Sequence, residues 1–291
     1  MNPNRRIIIA DCGSTTTEWA LVEREPGAPA WVKLHKTIGL NPLYTTAEVM
    51  QSVLAEVVKE LGPSVDAIYF YGAGCSGERI KNVQAALSQA FSIASSRVEV
   101  YSDLLGACRA LIGPEGNGCA CILGTGAIAA LYDGKTDRMT TAPSLGYILG
   151  DEGSGGYIGR RLLSDYLKGQ MPERVKCAFE EDFGVITPES AIEQTYQRAF
   201  PNRYLASFAP FAGRHLEHPY VQQLVYSSFE AFFKRNVMRL SLPKGSKVSM
   251  VGSVAWYMRD LLQIVAASFD LELGPVMCSP MEGLVKYHRE R

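Results

Sequence analysis

A strand–turn–strand unit that occurs twice restricts the fold of this chain more than anything else in it. Ile7-Ile8-Ile9-Ala10 is a continuous apolar run, Asp11-Cys12-Gly13-Ser14-Thr15-Thr16-Thr17 is small and polar, and Trp19-Ala20-Leu21-Val22 resumes the apolar pattern. About a hundred residues later, Cys119-Ala120-Cys121-Ile122-Leu123 leads into Gly124-Thr125-Gly126 and back out from Ala127 to Tyr132. Short apolar runs bounded by glycine and hydroxyl residues read as strands joined by tight turns. Two such units suggest two related halves.

The intervening sequence alternates. Thr45 with Glu48 three residues on has the pattern of a capping box, and Met50, Val53, Leu54, Val57, Val58 and Leu61 then recur at helical spacing. An apolar strand over 67–71 ends in Gly72-Ala73-Gly74-Cys75-Ser76-Gly77, and Ile80, Val83, Leu87, Ala90 and Phe91 mark a helix. Val98 and Val100 predict a strand running into Ser102-Asp103, with helix resuming over 104–112. Helices are expected over 158–167, 190–199 and 221–240, a strand over 248–251 with a helix to 267, and a last strand over 271–273. Strands alternating with helices imply an α/β class with parallel pairing. Gly113-Pro114-Glu115-Gly116-Asn117-Gly118 marks a boundary, giving domains over 1–112 and 113–291. The segment 171–219 receives no role.

Of 291 residues, 47% are hydrophobic and 20% charged, which excludes global disorder. With 29 basic and 30 acidic residues the net charge is −1, against binding of nucleic acid by bulk charge. Seven cysteines without a Cys-x-x-Cys pair, and four scattered histidines, give no zinc spacing, so reduced and mostly buried thiols are expected, Cys119 and Cys121 among them. The apolar run 7–10 falls short of the ~7–15 residues of a signal peptide, and no stretch approaches the ~20 needed to span a bilayer. A soluble, cytoplasmic protein is expected.

Four glycine-bearing turns follow predicted strands, at Gly13, Gly74, Gly124 and Gly252. Open α/β sheets bind ligands at the carboxyl ends of their strands. Glycine lets backbone N–H groups approach a phosphate, and hydroxyls add donors. Neither a P-loop nor a Gly-x-Gly-x-x-Gly after the first strand is present. Asp11 either holds Mg²⁺ through waters beside a polyphosphate or bonds the amides of its own turn. Asp103 is either a general base or a helix N-cap. Gly150-Asp151-Glu152-Gly153-Ser154-Gly155-Gly156 puts two acids among four glycines before a helix, suiting close ligand contact or an acid-capped helix start.

The order Asp11-x-Gly13-Ser14-Thr15, Asp103, Gly124-Thr125-Gly126, Gly150-Asp151-Glu152-Gly153-Ser154 and Gly252-Ser253-Val254 resembles the N-acetylglucosamine kinase branch of the BadF/BadG/BcrA/BcrD-type ATPases. These belong to the sugar kinase–actin–heat-shock ATPase superfamily. The resemblance implies two ribonuclease H-like (actin-like ATPase) α/β domains with a nucleotide cleft between them, ATP and Mg²⁺ as cofactors, a small amino sugar as partner and a homodimer. It matches Gly13, Ser14, Thr15, Gly124, Thr125, Gly126, Gly252 and Ser253 to ATP-binding positions, and Asp11 to the metal. It matches Asp103 to the catalytic base, and Asn41, Ser76, Gly77 and Asp151 to contacts with the sugar. The activity implied is phosphorylation of the 6-hydroxyl of N-acetylglucosamine or a related amino sugar.

The sequence departs from this branch at the first loop, where Cys12 and Ser14 occupy two of three glycine positions. There it looks more like the activator ATPases that couple ATP hydrolysis to electron transfer in a partner dehydratase or reductase. Those carry a lysine where this chain has Glu18, a Gly-Gly-Gln-Asp element that is absent here, and cluster-binding cysteines. Iron in anaerobically purified protein would mark that alternative. The acceptor sugar stays open, because Gly39-Leu40-Asn41-Pro42 matches only in part.

Overall fold

A computed structural model describes residues 5–24 and 31–290. They form two compact units, one running to Pro114 and resuming at Pro280, the other covering Glu115–Ser279. The first unit holds β1 (Arg5–Cys12), β2 (Thr16–Arg24), β3 (Trp31–Ile38), β4 (Ala67–Gly72) and β5 (Val98–Ser102). The second holds β6 (Asn117–Leu123), β7 (Ala127–Asp133), β8 (Arg138–Thr141), β9 (Lys247–Val251) and β10 (Glu272–Met277).

The two sheets run in the orders β3-β2-β1-β4-β5 and β10-β9-β6-β7-β8, the second being the first read from the other edge. In each, three antiparallel strands form a meander, and two strands reached through helices pair in parallel on its other side. Both units are thus ribonuclease H-like, and the repeated hairpin is the visible part of a repeated five-stranded sheet. The third strand of each meander escapes the sequence pattern. β3 is an edge strand with Lys33, His35 and Lys36 among its residues and Leu34 and Ile38 exposed, so it lacks a clean apolar run. β8 has only four residues and none buried.

Parallel strands need both faces covered. On one face of the first sheet, helix Ala47–Leu61 buries Met50, Val53, Leu54, Val57 and Leu61 at helical spacing against Ile8, Ala10 and Trp19. The cap of this helix is Thr46, whose side chain accepts from Val49 N, one residue beyond the expected Thr45. The Trp19 indole N–H donates to Thr37 Oγ1 at 3.0 Å, satisfying a buried polar atom. The other face is closed by helix Asp103–Ile112 and by the C-terminal helix Met281–Glu290, whose Met281, Leu284 and Val285 pack against Ile7 and Ile9. This corrects the expected span of the second domain to residue 291. The last helix belongs to the first unit because its apolar stripe fits the open face of β1. His288 Nε2 lies 2.7 Å from the Tyr71 hydroxyl, and Arg109 donates to that hydroxyl at 2.8 Å while its guanidinium lies 4.2 Å from the Tyr101 ring centroid.

The second unit is covered by more helices. An aromatic core of Phe179, Phe208, Phe211, Phe229, Phe232 and Phe233 joins them. The helix expected over 190–199 stops at Ile192 and gives way to a wider turn over Glu193–Gln197. Pro201 excludes helical geometry at Phe200, which is left-handed with φ 59°. The helix expected over 221–240 runs Pro219–Arg235 and is followed by a short turn of 3₁₀ helix, Val237–Leu240.

Candidate active site

In the first sheet Cys12, Gly72 and Ser102 lie in one register row, so the turns after β1, β4 and β5 leave from the same carboxyl edge. Gly13 N–H donates to the Thr16 carbonyl at 2.9 Å, closing the first hydroxyl-rich turn over Ser14 and Thr15. Gly39 N–H donates to the Thr15 carbonyl at 2.8 Å, and a Cβ on Gly39 would collide with the backbone of Gly13 and Ser14. Leu40 N–H donates to Cys12 Sγ at 3.2 Å. The residue that follows is Asn41, buried, with Oδ1 accepting from Leu43 N–H at 2.9 Å. Gly74, with φ 77°, lies so close to the Asn41 carboxamide that no side chain fits there. Ser76 is exposed at the tip of that loop and its Oγ accepts from Arg79 at 2.8 Å; Gly77 has φ 55°. The first turn, Gly39 and Leu40 before Asn41, and Gly74 against Asn41 therefore meet in one unit although about 60 residues separate the first from the last, and Ser76 and Gly77 follow Gly74 in its loop.

Asp11 and Asp103 flank this edge. The helix N-cap is Ser102, whose Oγ accepts from Leu105 N–H at 3.3 Å, so Asp103 is not the cap. Asp103 is the first helical residue, with Oδ1 accepting from Leu104 N–H at 2.9 Å. Burial pushes its carboxyl up to about 6, against the lowering effect of the Leu104 amide. Among the described residues no hydrogen bond joins the Asp11 carboxylate to its own turn. Burial, then the charges of Asp103 and Glu18, push Asp11 up to about 7. Burial pushes the thiols of Cys12 and Cys75 up to about 12, so neither is a nucleophile at pH 7.

In the second unit Gly124 N–H donates to the Gly126 carbonyl at 3.0 Å. The next two donors come from helix Gly155–Leu167, with Gly155 N–H to the Gly124 carbonyl at 2.8 Å and Gly156 N–H to the Thr125 carbonyl at 3.1 Å. Ser154 caps that helix through Tyr157 N–H at 3.1 Å. The first amides of this helix are thus spent on the turn rather than left for a ligand, and the glycines around residue 155 allow the backbones to meet. Gly252, at φ 124°, brings the chain after β9 against the Leu123 carbonyl and Gly124 nitrogen. Asp151 is left-handed at φ 56°; its Oδ1 accepts from Ala127 N–H at 3.3 Å and burial raises its carboxyl. Glu152 is buried, with Oε1 2.7 Å from Arg235 Nη1 and Oε2 accepting from Asn236 Nδ2 at 3.4 Å.

Two cavities adjoin this turn. One, of about 450 Å³, is lined by Gly124, Thr125, Gly155 and Ser253 together with Ala206, Ala209, Pro210, Val254 and Met258. Its lining, which also includes Arg214 and Tyr257, combines glycine backbone and hydroxyl groups with apolar side chains, as an adenosine phosphate would need. The other, of about 550 Å³, is lined by Ala127, Thr141, Ser144, Asp151 and Glu152, with Lys234, Arg235 and Arg239. Residues 206–214 come from the segment that received no role from sequence. They lie far along the chain from every glycine turn, and small apolar residues on a helix look like ordinary core.

Neither a family model nor a curated relative matches this chain. Among solved structures, a candidate N-acetylglucosamine kinase from Porphyromonas gingivalis is 41% identical, with a TM-score of 0.88 over 98% of this chain and 99% of that one. A second candidate N-acetylglucosamine kinase, from Chromobacterium violaceum, is 19% identical with a TM-score of 0.70 over 97% and 98% of the two chains. A ROK family glucokinase from Streptomyces griseus, solved with glucose and AMPPNP, shares the fold at 13% identity and a TM-score of 0.55, covering 98% of each chain. The repeated sheet and the 41% identity across 98% of the chain lead to one conclusion: the chain belongs to the N-acetylglucosamine kinase-like members of the BadF/BadG/BcrA/BcrD-type ATPase family, within the sugar kinase–actin–heat-shock ATPase superfamily.

Proposed function

We propose that this protein transfers the γ-phosphoryl group of ATP to the 6-hydroxyl of N-acetylglucosamine or a related amino sugar. The observation that carries this reading is the pair of cavities served by one turn. Gly124 and Thr125 line the apolar one, and Ala127 lines the polar one beside Asp151. Gly252 holds the turn and Ser253 adds a hydroxyl to the nucleotide side. Gly13, Ser14 and Thr15 supply a second phosphate-binding turn. Asn41, Ser76, Gly77 and Asp151 bond the hydroxyls and amide of the sugar.

Phosphoryl transfer needs positioning and charge neutralisation more than covalent chemistry. Asp103 takes the proton of the acceptor hydroxyl as its oxygen forms a bond to the γ-phosphorus, and the bond to the ADP oxygen breaks. A carboxylate that titrates near 6 is ionised at pH 7.5 yet basic enough to accept that proton. The chemistry of Asp11 fits Mg²⁺: a half-buried carboxylate crowded by Asp103 and Glu18 is relieved by a divalent cation. Such an ion neutralises the charge that builds on the phosphates.

A coupled ADP-release assay with N-acetylglucosamine, glucosamine, N-acetylmannosamine, glucose and no sugar tests the reading. Release should depend on one amino sugar, and release equal in every well would refute it. Asp11→Ala should raise the Mg²⁺ needed for half-maximal rate by about tenfold; an unchanged metal dependence removes Asp11 from that role. With Asp103 as base, kcat/KM should climb with pH and level off above an apparent pKa near 6. A profile flat from about pH 5 to 8 would contradict the assignment.

A further inference from the structure

The polar cavity of the second unit carries more positive charge than a neutral sugar can use. Lys234 and Arg235 end helix Pro219–Arg235 and Arg239 follows in the next turn, and all three line the cavity that Asp151 also lines. Two of the three have partners. Glu152 neutralises Arg235 at 2.7 Å, and Lys234 lies 2.8 Å from Glu230 in an exposed i,i+4 pair, which holds little energy. Arg239 has no ion-pair partner among the described residues. Hydroxyl and N-acetyl groups are satisfied by carboxylates, amides and hydroxyls, which Asp151, Thr141 and Ser144 already offer. A guanidinium and an ammonium lining one cavity match a carboxylate or phosphate. The volume of about 550 Å³ leaves room for a substituent beyond one sugar ring.

We infer that the acceptor is an amino sugar bearing an anionic substituent, a carboxylate or a phosphate, which Arg239 and Lys234 receive while Asp151 takes hydroxyls of the ring. This rests on the kinase reading and narrows its substrate class. Arg235 is not part of the anion site, since its charge is committed to the buried Glu152.

Calorimetric titration of the whole protein separates the two claims. The probes are N-acetylglucosamine, its 3-O-lactyl ether as a carboxylate and its 1-phosphate, each with the 6-hydroxyl free. One anionic probe should bind about tenfold or more tightly than the neutral sugar. The advantage should shrink between about 50 and 500 mM salt and vanish in Lys234→Gln/Arg239→Gln. Which of the two binds tells carboxylate from phosphate. Both side chains are exposed, so the double variant should keep the wild-type unfolding midpoint. Equal affinity for all three probes, or a preference that survives in the double variant, would overturn the inference. ADP release is read in parallel. If no sugar is turned over, the kinase reading falls, while the affinities still decide the anion site.

Discussion

Asp103→Asn is expected to lower kcat by about 10²–10⁴-fold, to leave ATP affinity nearly intact and to raise the thermal unfolding midpoint at pH 7.5. The two effects have one cause. Burial pushes the carboxyl up to about 6 from an ordinary value of 3.8. Between those values the folded protein binds a proton that the unfolded chain does not, so stability falls as pH rises through that window, and the deficit is complete above about 6. It is on the order of 3 kcal/mol. Asparagine keeps the acceptor for Leu104 N–H and carries no charge, so the deficit disappears. A structural aspartate would behave the opposite way, with activity and midpoint falling together. Wild-type turnover in Asp103→Asn, or a lowered midpoint, would refute the base. The unfolding midpoint of Asp103→Asn should also depend less on pH between about 4 and 6 than that of the parent protein.

Gly252→Val should raise KM for ATP by about a hundredfold with much less effect on the dissociation constant for sugar. At φ 124° a β-branched residue is strained. Its Cβ would also meet the Leu123 carbonyl and the Gly124 nitrogen, both backbone atoms that cannot rotate away. Strain of about 1–3 kcal/mol would be relieved by pushing the Gly124–Gly126 turn off its seat on Gly155 and Gly156. Gly252→Ala meets the same atoms with a smaller group and should fall between, so the series reads displacement of the turn rather than failure to fold. A normal KM for ATP in the valine variant would detach this turn from nucleotide binding.

The fold was legible where side-chain chemistry repeats along the chain. The hairpins at Gly13 and Gly124 and the strands ending at Gly72 and Val251 carry mainly apolar runs, because their sheets are covered on both faces, while the strand ending at Ser102 shows by alternation, with Val98 and Val100 buried and Glu99 exposed. β3 and β8 were missed because edge strands keep polar faces. The final helix was missed because its stripe of Met281, Leu284 and Val285 is short and its partner lies at the other end of the sequence. Within the site, Asp11, Asp103 and the glycine turns stood out by type and position. Ser102, the true cap, directly precedes Asp103, and two adjacent residues that both favour the cap look alike in sequence. Arg235 and Asn236, which hold Glu152, and Arg239 could not be read, since a basic helix end is ordinarily a solvated one. Nor could the glycines around residue 155 be assigned from sequence: a glycine packed against a carbonyl and one that admits a ligand look the same.

The C-terminal helix closes the first sheet, and this sets an order of assembly during synthesis. Residues 115–279 form a contiguous unit and can fold as soon as they leave the ribosome. The face of β1 that bears Ile7 and Ile9 must wait for Leu284 and Val285, made after the whole second half. Chains ended at residue 279 and released from the ribosome should therefore protect the second half from protease while the first half stays cleavable, even though it was made earlier.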